Sequence, residues 1–351
     1  MIKLTGLEAI LDSNEAVKKI FNDSLLVPIE DFLSRPKKSF REDLINIGFE
    51  IGLSTFNFTS VEVGDEDKIL ITLFENVIEY LHSGSLIIDD IEDQSQVRRG
   101  KESLHKLFGV PIALNAGNWL YFWPLVMIQN STLSNEVKQL AVNECNKTLM
   151  HAHLGQALDL GTSLEGVTKK NISDIVFKTM ELKTGALTSL AIKLGFLVAQ
   201  EKYKKTISSS SLSSLKNIDS NDKFQNIEEF GNRFGQLLQI YDDIGNLRSN
   251  SNPQKKYEDL RLLRPSFIWI ILAEVLDEIE FQKFIYQIRN EFEILSIENK
   301  IKDLNIEQRA KIKSSQIKND WCELFFKDNS LITLQLKNKI LNTLERLTHA
   351  Y

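Results

Sequence analysis

Apolar residues at Leu70, Phe74, Val77, Leu81 and Ile88 fall mostly three or four positions apart, which places them on one face of a helix. The same spacing returns at Ile227, Phe230, Phe234, Leu237 and Tyr241. Within that second run Gly231 and Gly235 lie four apart, where missing side chains let a neighbouring helix come close. Comparable helical periodicity covers residues 41–52, 112–129, 135–160, 172–199, 266–290 and 331–347. Strand-like alternation is nearly absent; residues 60–63 are its best example and are short. Many helices with short joins predict an all-α bundle, expected as one large domain over residues 1–351. Polar stretches at 55–67, 204–223 and 249–256 interrupt the rhythm. The second contains four consecutive serines, Ser208 to Ser211, and is expected to be a mobile insertion loop. Helices of similar character flank each stretch, so none reads as a domain boundary.

Composition narrows the function classes. With 42 Lys and Arg against 48 Asp and Glu, the net charge is −6, which argues against a nucleic-acid-binding surface. Two cysteines, Cys145 and Cys322, are too few for a disulfide framework or a Cys-rich zinc site. Residues 1–20 lack the basic start and apolar run of a signal peptide. The longest strongly apolar stretch, residues 119–128, is about half of what a bilayer needs and carries Pro124. The expectation is a cytoplasmic protein with no stable membrane insertion.

Candidate chemistry concentrates at two helix ends. The run from Leu81 to Asp93 is followed by Val97-Arg98-Arg99-Gly100, and Asp89 and Asp93 project from one helical face. Paired carboxylates at the negative end of a helix dipole are mutually unfavourable, and a divalent cation offsets that cost. A second cluster, Gln239 to Asn246, again closes an amphipathic helix with an aspartate pair, Asp242-Asp243. Two such ends can face one another with a cation–diphosphate group between them and an apolar shaft below.

These motifs resemble the trans-isoprenyl diphosphate synthases, and among them the geranylgeranyl diphosphate synthases, over residues 27–267. His82 to Gly100 is similar to the family's first aspartate-rich region, and Asp242 to Asn246 to its second, in a DDxxN form. Between them Asn115-Ala116-Gly117-Asn118, Gly155-Gln156-Ala157-Leu158-Asp159 and Lys183-Thr184-Gly185 match further motifs in order. The resemblance implies an isoprenoid synthase fold with a central apolar prenyl cavity. It also implies Mg²⁺, three ions per site with bound diphosphate, held by Asp89, Asp93 and Asp242.

The implied reaction joins isopentenyl diphosphate to an allylic diphosphate such as farnesyl diphosphate. Its catalytic set would be Asp89, Asp90, Asp93, Asp242 and Lys183. Isopentenyl diphosphate would lie on Lys38, Arg41, His82 and Arg99, a cationic pocket without metal. The allylic diphosphate would meet Arg98, Lys183, Thr184, Gln239 and Arg264. Gln156 and Asp159 share a helix face and are read equally as site groups or as a buried bracing pair. Ser85 lies one turn, about 6 Å, before Asp89. With Gly84 it leaves room for a chain of C20 or longer, and Leu81, Trp119, Tyr121 and Phe122 are candidates for the floor. Partners would be small prenyl diphosphates, and a homodimer or higher homo-oligomer is usual in the family.

The chain also departs from the family pattern. Lys37 replaces a glycine, Leu154 and Tyr241 stand where arginine is common, and Arg264 replaces a lysine. Three readings therefore compete: a transferase making geranylgeranyl diphosphate, a terpene synthase cyclising a single prenyl diphosphate, and a weakly active regulatory subunit.

Overall fold

The computed structural model describes residues 14–37, 40–56, 63–206, 220–248, 256–327 and 333–350. Lys38, residues 207–219 of the expected insertion loop, 249–255 of the third polar stretch, and 60–62 of the short strand run lie outside the described residues. Packing divides the chain into two compact units. One comprises residues 1–146 and 191–215, the other 147–190 and 216–351.

The first unit contains α1 (Glu15–Phe21), α2 (Val27–Leu33), α3 (Phe40–Thr55), α4 (Asp65–Glu92), α5 (Leu104–Phe108), α6 (Val110–Gln129) and the first half of α7 (Asn135–Gly161). Its long element is α4, 28 residues and about 42 Å at the usual helical rise. The amide of Gly64 donates to the Asp67 carboxylate at 2.9 Å, which fixes where α4 begins. The Asp93 amide donates to the Asp89 carbonyl at 2.9 Å and ends it. One core joins α2, α4, α5 and α6 through Ile29, Phe32, Ile87, Leu104, Ala116 and Leu120. Between α4 and α5 the chain makes a hairpin absent from the sequence expectation, β1 (Val97–Arg98) against β2 (Lys101–Glu102). Two-residue strands are too short to show a period, which is why the pattern missed them.

The second unit holds the end of α7, α8 (Lys169–Met180), the start of α9 (Ala186–Thr206), α10 (Ser220–Asn246), α11 (Glu258–Arg261), α12 (Phe267–Val275), α13 (Glu278–Asn290), α14 (Ile294–Asp303), α15 (Ile306–Lys327) and α16 (Leu334–Ala350). Its core centres on Trp269, Phe267 and Phe281 with Val176, Ile240 and Ile244. The helix expected over 266–290 is two helices. Leu276 is extended, and the Asp277 carboxylate caps α13 by accepting from the Glu280 amide at 2.8 Å. The helix expected over 172–199 is continuous but widens into a π-turn at Glu181–Gly185. The run Lys169–Thr206 is long and apolar enough to cross a membrane, a length the sequence expectation did not find; 78% of its apolar window is already buried within the protein.

Candidate active site

In the first unit the predicted cations meet a carboxylate that spacing had not singled out. Glu79, only 7% exposed, accepts from Arg99 at 3.0 Å, from Ser83 at 3.1 Å and from Arg41 at 3.5 Å. Two guanidiniums gathered at one carboxylate present the forked N–H geometry that also suits a phosphate anion. A charged residue three positions before His82, flanked by the apolar Val77, Ile78 and Leu81, was the signal available in the sequence.

His82 joins this group without adding charge. Burial, then Arg41, Arg99 and Arg98, push its pKa well below the ordinary 6.5. Of the group expected from sequence to bind isopentenyl diphosphate, Arg41 and Arg99 thus carry charge while the His82 imidazole is held neutral. This has a consequence for stability. The folded state keeps His82 neutral while the unfolded chain protonates it near 6.5, so its contribution is present above that pH and falls away as pH drops. Between pH 6.5 and 5 the unfolding free energy of the wild type should decline more steeply than that of His82→Gln. Parallel urea-unfolding profiles over that range would refute the assignment.

The first aspartate pair divides its labour. The Asp90 side chain is 1% exposed and ion-paired to Arg98 at 2.6 Å, whereas Asp89 is 27% exposed and 3.6 Å from the same guanidinium. Asp90, expected among the catalytic residues, thus fixes Arg98, and Asp89 is the more accessible carboxylate. Gly84 serves packing: a Cβ there would lie 2.9 Å from the Gly117 carbonyl oxygen and 3.1 Å from the Leu120 Cβ on α6. Its small size is accounted for by the α4–α6 crossing. Ser85 is half-buried and donates to the His82 carbonyl at 2.8 Å. Of the floor candidates, Phe122 is 67% exposed, Leu81 is core, and Trp119 stacks on Trp123. Tyr121 is pushed up in pKa by burial and by Glu92 and Asp89, which locates it beside the first cluster.

In the second unit the site forms where α10 presses on the π-turn. A Cβ on Gly235 would lie 2.4 Å from the Thr188 hydroxyl and 2.6 Å from the Gly185 Cα; one on Gly231 would lie 2.3 Å from the Ser189 Cα. The close approach read from the glycine spacing is real, and it has a purpose. It brings the Thr184 hydroxyl within 2.8 Å of the Gln239 side-chain oxygen, to which it donates. Gln239 in turn donates to Asp243 at 2.9 Å. The π-turn also presents Lys183 to Asp159 at 2.6 Å, and Arg264 donates to the Asp159 carbonyl at 2.9 Å. Single π-turns inside helices are a frequent device for aiming functional side chains.

Asp242 and Asp243 repeat the division seen in the first pair. Asp243 is buried, accepts the Phe267 amide at 2.7 Å and so anchors the start of α12, while Asp242 keeps exposed surface. Burial and Asp259 drive the Asp243 carboxyl well above its usual range. Burial, with Asp242, Glu258 and Asp159, pushes Asp259 up to about 7 against the hydrogen bond from Asn246. Among the described residues no three His, Cys, Asp or Glu side chains converge as a ready metal cage. The donor chemistry nonetheless fits a hard cation: Asp242 sits in a field of carboxylates whose repulsion a divalent ion would relieve.

The departures have locations. Tyr241 is buried, and burial with the Cys322 thiol pushes its phenol up to about 12, so this position faces the packing of α10 rather than the charged cluster. Leu154 is exposed on α7, and Lys37 is exposed after α2. Arg264 reaches the Asp159 backbone.

A polyprenyl synthetase family model matches residues 24–302, most of the chain. The chain belongs to the polyprenyl synthetase family. This polyprenyl synthetase chain is 32% identical over 241 residues to a geranylgeranyl pyrophosphate synthase of Penicillium janthinellum, covering 68% of this chain and 55% of that one. It is 35% identical over 175 residues to a geranylgeranyl pyrophosphate synthase of Penicillium canescens, covering 49% and 46%. A bifunctional sesterterpene synthase of Talaromyces wortmannii is 26% identical over 72% of this chain and 28% of its own length. The chain thus spans about half the length of the geranylgeranyl pyrophosphate synthases it matches. The crystal structure of a geranylgeranyl pyrophosphate synthase covers 99% of each chain with a TM-score of 0.71 at 15% identity. A second, from Pyrococcus horikoshii, covers 95% of this chain and 99% of its own with a TM-score of 0.65 at 20% identity. Identities this low establish the fold: all-α, of the isoprenoid synthase kind.

Proposed function

We propose that this polyprenyl synthetase chain is a trans-prenyltransferase that joins isopentenyl diphosphate to an allylic diphosphate, farnesyl diphosphate as primer, and yields geranylgeranyl diphosphate. The observation that carries this reading is the grouping of Arg41 and Arg99 on Glu79, with His82 near enough to both guanidiniums to feel their charge. A cyclising enzyme handles one diphosphate and has no use for a second, arginine-lined anion pocket. Arg41 and Arg99 would hold isopentenyl diphosphate, with Lys38 as a third cation. In the second unit Lys183, Thr184, Gln239 and Arg264 would orient the allylic diphosphate.

Asp89 and Asp93 in the first unit and Asp242 in the second would hold Mg²⁺. Bound there, the metal supplies charge neutralisation to the leaving diphosphate and so favours ionisation to the allylic cation. The protein's own arginines keep the second diphosphate in place while its double bond attacks, and the freed diphosphate is the proton acceptor. Ser85, small and one turn before Asp89, leaves room for a growing chain. The reading includes a cytoplasmic homodimer or higher homo-oligomer, to be checked by the mass of the purified protein in solution.

Purified protein with Mg²⁺ and farnesyl diphosphate should give a C20 alcohol after dephosphorylation only when isopentenyl diphosphate is also present. Hydrocarbon from farnesyl diphosphate alone would replace the proposal with cyclisation. A folded protein with no turnover in either tube would point to the subunit reading, for which the substitutions at Tyr241 and Arg264 are the grounds.

A further inference from the structure

The hairpin between α4 and α5 breaks a local rule. Its ladder pairs Val97 with Glu102 and Arg98 with Lys101, so the loop is the two residues Arg99 and Gly100. Both have positive φ, 53° and 79°. Two-residue hairpin loops of this kind favour Asn-Gly, because asparagine tolerates the left-handed region. An arginine there costs conformational energy and persists only where its surroundings over-determine it. The surroundings in question lie at the end of α2, in residues with no assigned part in the chemistry.

Arg35, its side chain fully buried, donates through Nε and Nη2 to one oxygen of Asp31 at 2.9 and 2.6 Å. Its remaining nitrogen, Nη1, donates to the backbone carbonyl of Arg98 at 3.1 Å. The other Asp31 oxygen accepts from Lys101 at 3.3 Å, on the opposite strand of the hairpin. The Phe32 ring lies against two guanidiniums, that of Arg35 5.2 Å from its centroid and that of Arg99 5.1 Å from it. Three residues of one helix end therefore grip both strands of the hairpin and the Arg99 side chain. A fold that needed only to close a loop would need none of this.

We propose that Asp31, Phe32 and Arg35 are positioning residues: they hold the Arg98–Arg99 turn so that the Arg99 guanidinium is presented, preorganised, to the isopentenyl diphosphate. The inference rests on the reading of Arg99 as a diphosphate ligand. It adds that affinity at this pocket is set by a buried arginine that never touches substrate. The guanidinium fork suits the task because its three nitrogens serve one carboxylate and one carbonyl at once, which a lysine cannot do.

The test compares KM for each diphosphate, kcat and thermal midpoint in the full chain for the wild type, Arg35→Met, Arg35→Lys and Arg99→Gln. Arg35→Met should raise KM for isopentenyl diphosphate about tenfold, leave KM for the allylic diphosphate within about threefold, and keep kcat at saturation within about twofold. Arg35→Lys should recover part of the loss. A fall in kcat and thermal midpoint with KM unchanged would show that Arg35 only packs, and would overturn the proposal, as would no change at all. Arg99→Gln separates the two layers of argument. If it leaves KM for isopentenyl diphosphate unchanged, the diphosphate reading itself fails; if it raises KM while Arg35→Met does not, only the positioning role fails. Should Arg35→Met not fold, Lys101→Ala at the exposed strut carries the test, with an expected KM rise of about threefold and a flat KM as the refuting result.

Discussion

Asp89→Ala should abolish Mg²⁺-dependent turnover, lowering kcat by about a thousandfold or more, while the protein remains folded. The size follows from what the carboxylate does. Charge stabilisation aimed at a leaving group is worth a few kcal/mol per lost interaction in a water-poor site, and each 1.4 kcal/mol is a factor of about ten. The sparing of the fold follows from where Asp89 sits. Its side chain is 27% exposed, and Arg98, at 3.6 Å, keeps its shorter bond to Asp90 when Asp89 is removed. Asp90→Ala should behave oppositely, because it leaves Arg98 without its buried partner and costs stability before it costs chemistry. Turnover against Mg²⁺ concentration, with thermal unfolding of the same samples, reads both. A near-normal rate for Asp89→Ala would remove it from the metal-binding set.

A large stability effect is expected at Gly235. Adding one methyl group puts a carbon 2.4 Å from the Thr188 hydroxyl and 2.6 to 2.8 Å from backbone atoms of Gly185. Backbone cannot give way locally. Nor can Thr188 swing aside cheaply, since its hydroxyl donates to the Gly231 carbonyl at 2.7 Å and lies within bonding distance of Gly185 and Thr184 carbonyls. The helices must separate, and overpacking of this kind costs about 3 kcal/mol. The same separation would lengthen the Thr184–Gln239 bond, so the variant should also bind the allylic diphosphate less well. Urea unfolding of Gly235→Ala checks the first effect; a loss below about 1 kcal/mol would mean that this crossing is softer than its distances imply.

Much of this was written in short-range pattern. Three- and four-residue spacing located α4, α6, α7 and α10, because the helical period is set by neighbours within one turn. Spacing also read the four-residue glycine pair as a close crossing. Where a cap or a widened turn decided the outcome, pattern was weaker. The break at Leu276 and Asp277 and the π-turn at Glu181–Gly185 interrupt apolar runs that look continuous in one dimension.

What the sequence by itself determined is the family, the helices and the residue types that can hold metal and diphosphate. What only the tertiary structure decided is the division of labour among them: Asp90 and Asp243 buried as anchors, Asp89 and Asp242 left accessible, Lys183 set against Asp159, Glu79 against Arg41 and Arg99, and Arg35 against the Arg98 carbonyl. The reason is range. Thr184 meets Gln239 across 55 positions and Arg264 meets the Asp159 carbonyl across 105. A periodic pattern records which face of a helix is apolar, but not which distant group will lie against it, and burial of a charge is settled by that second fact.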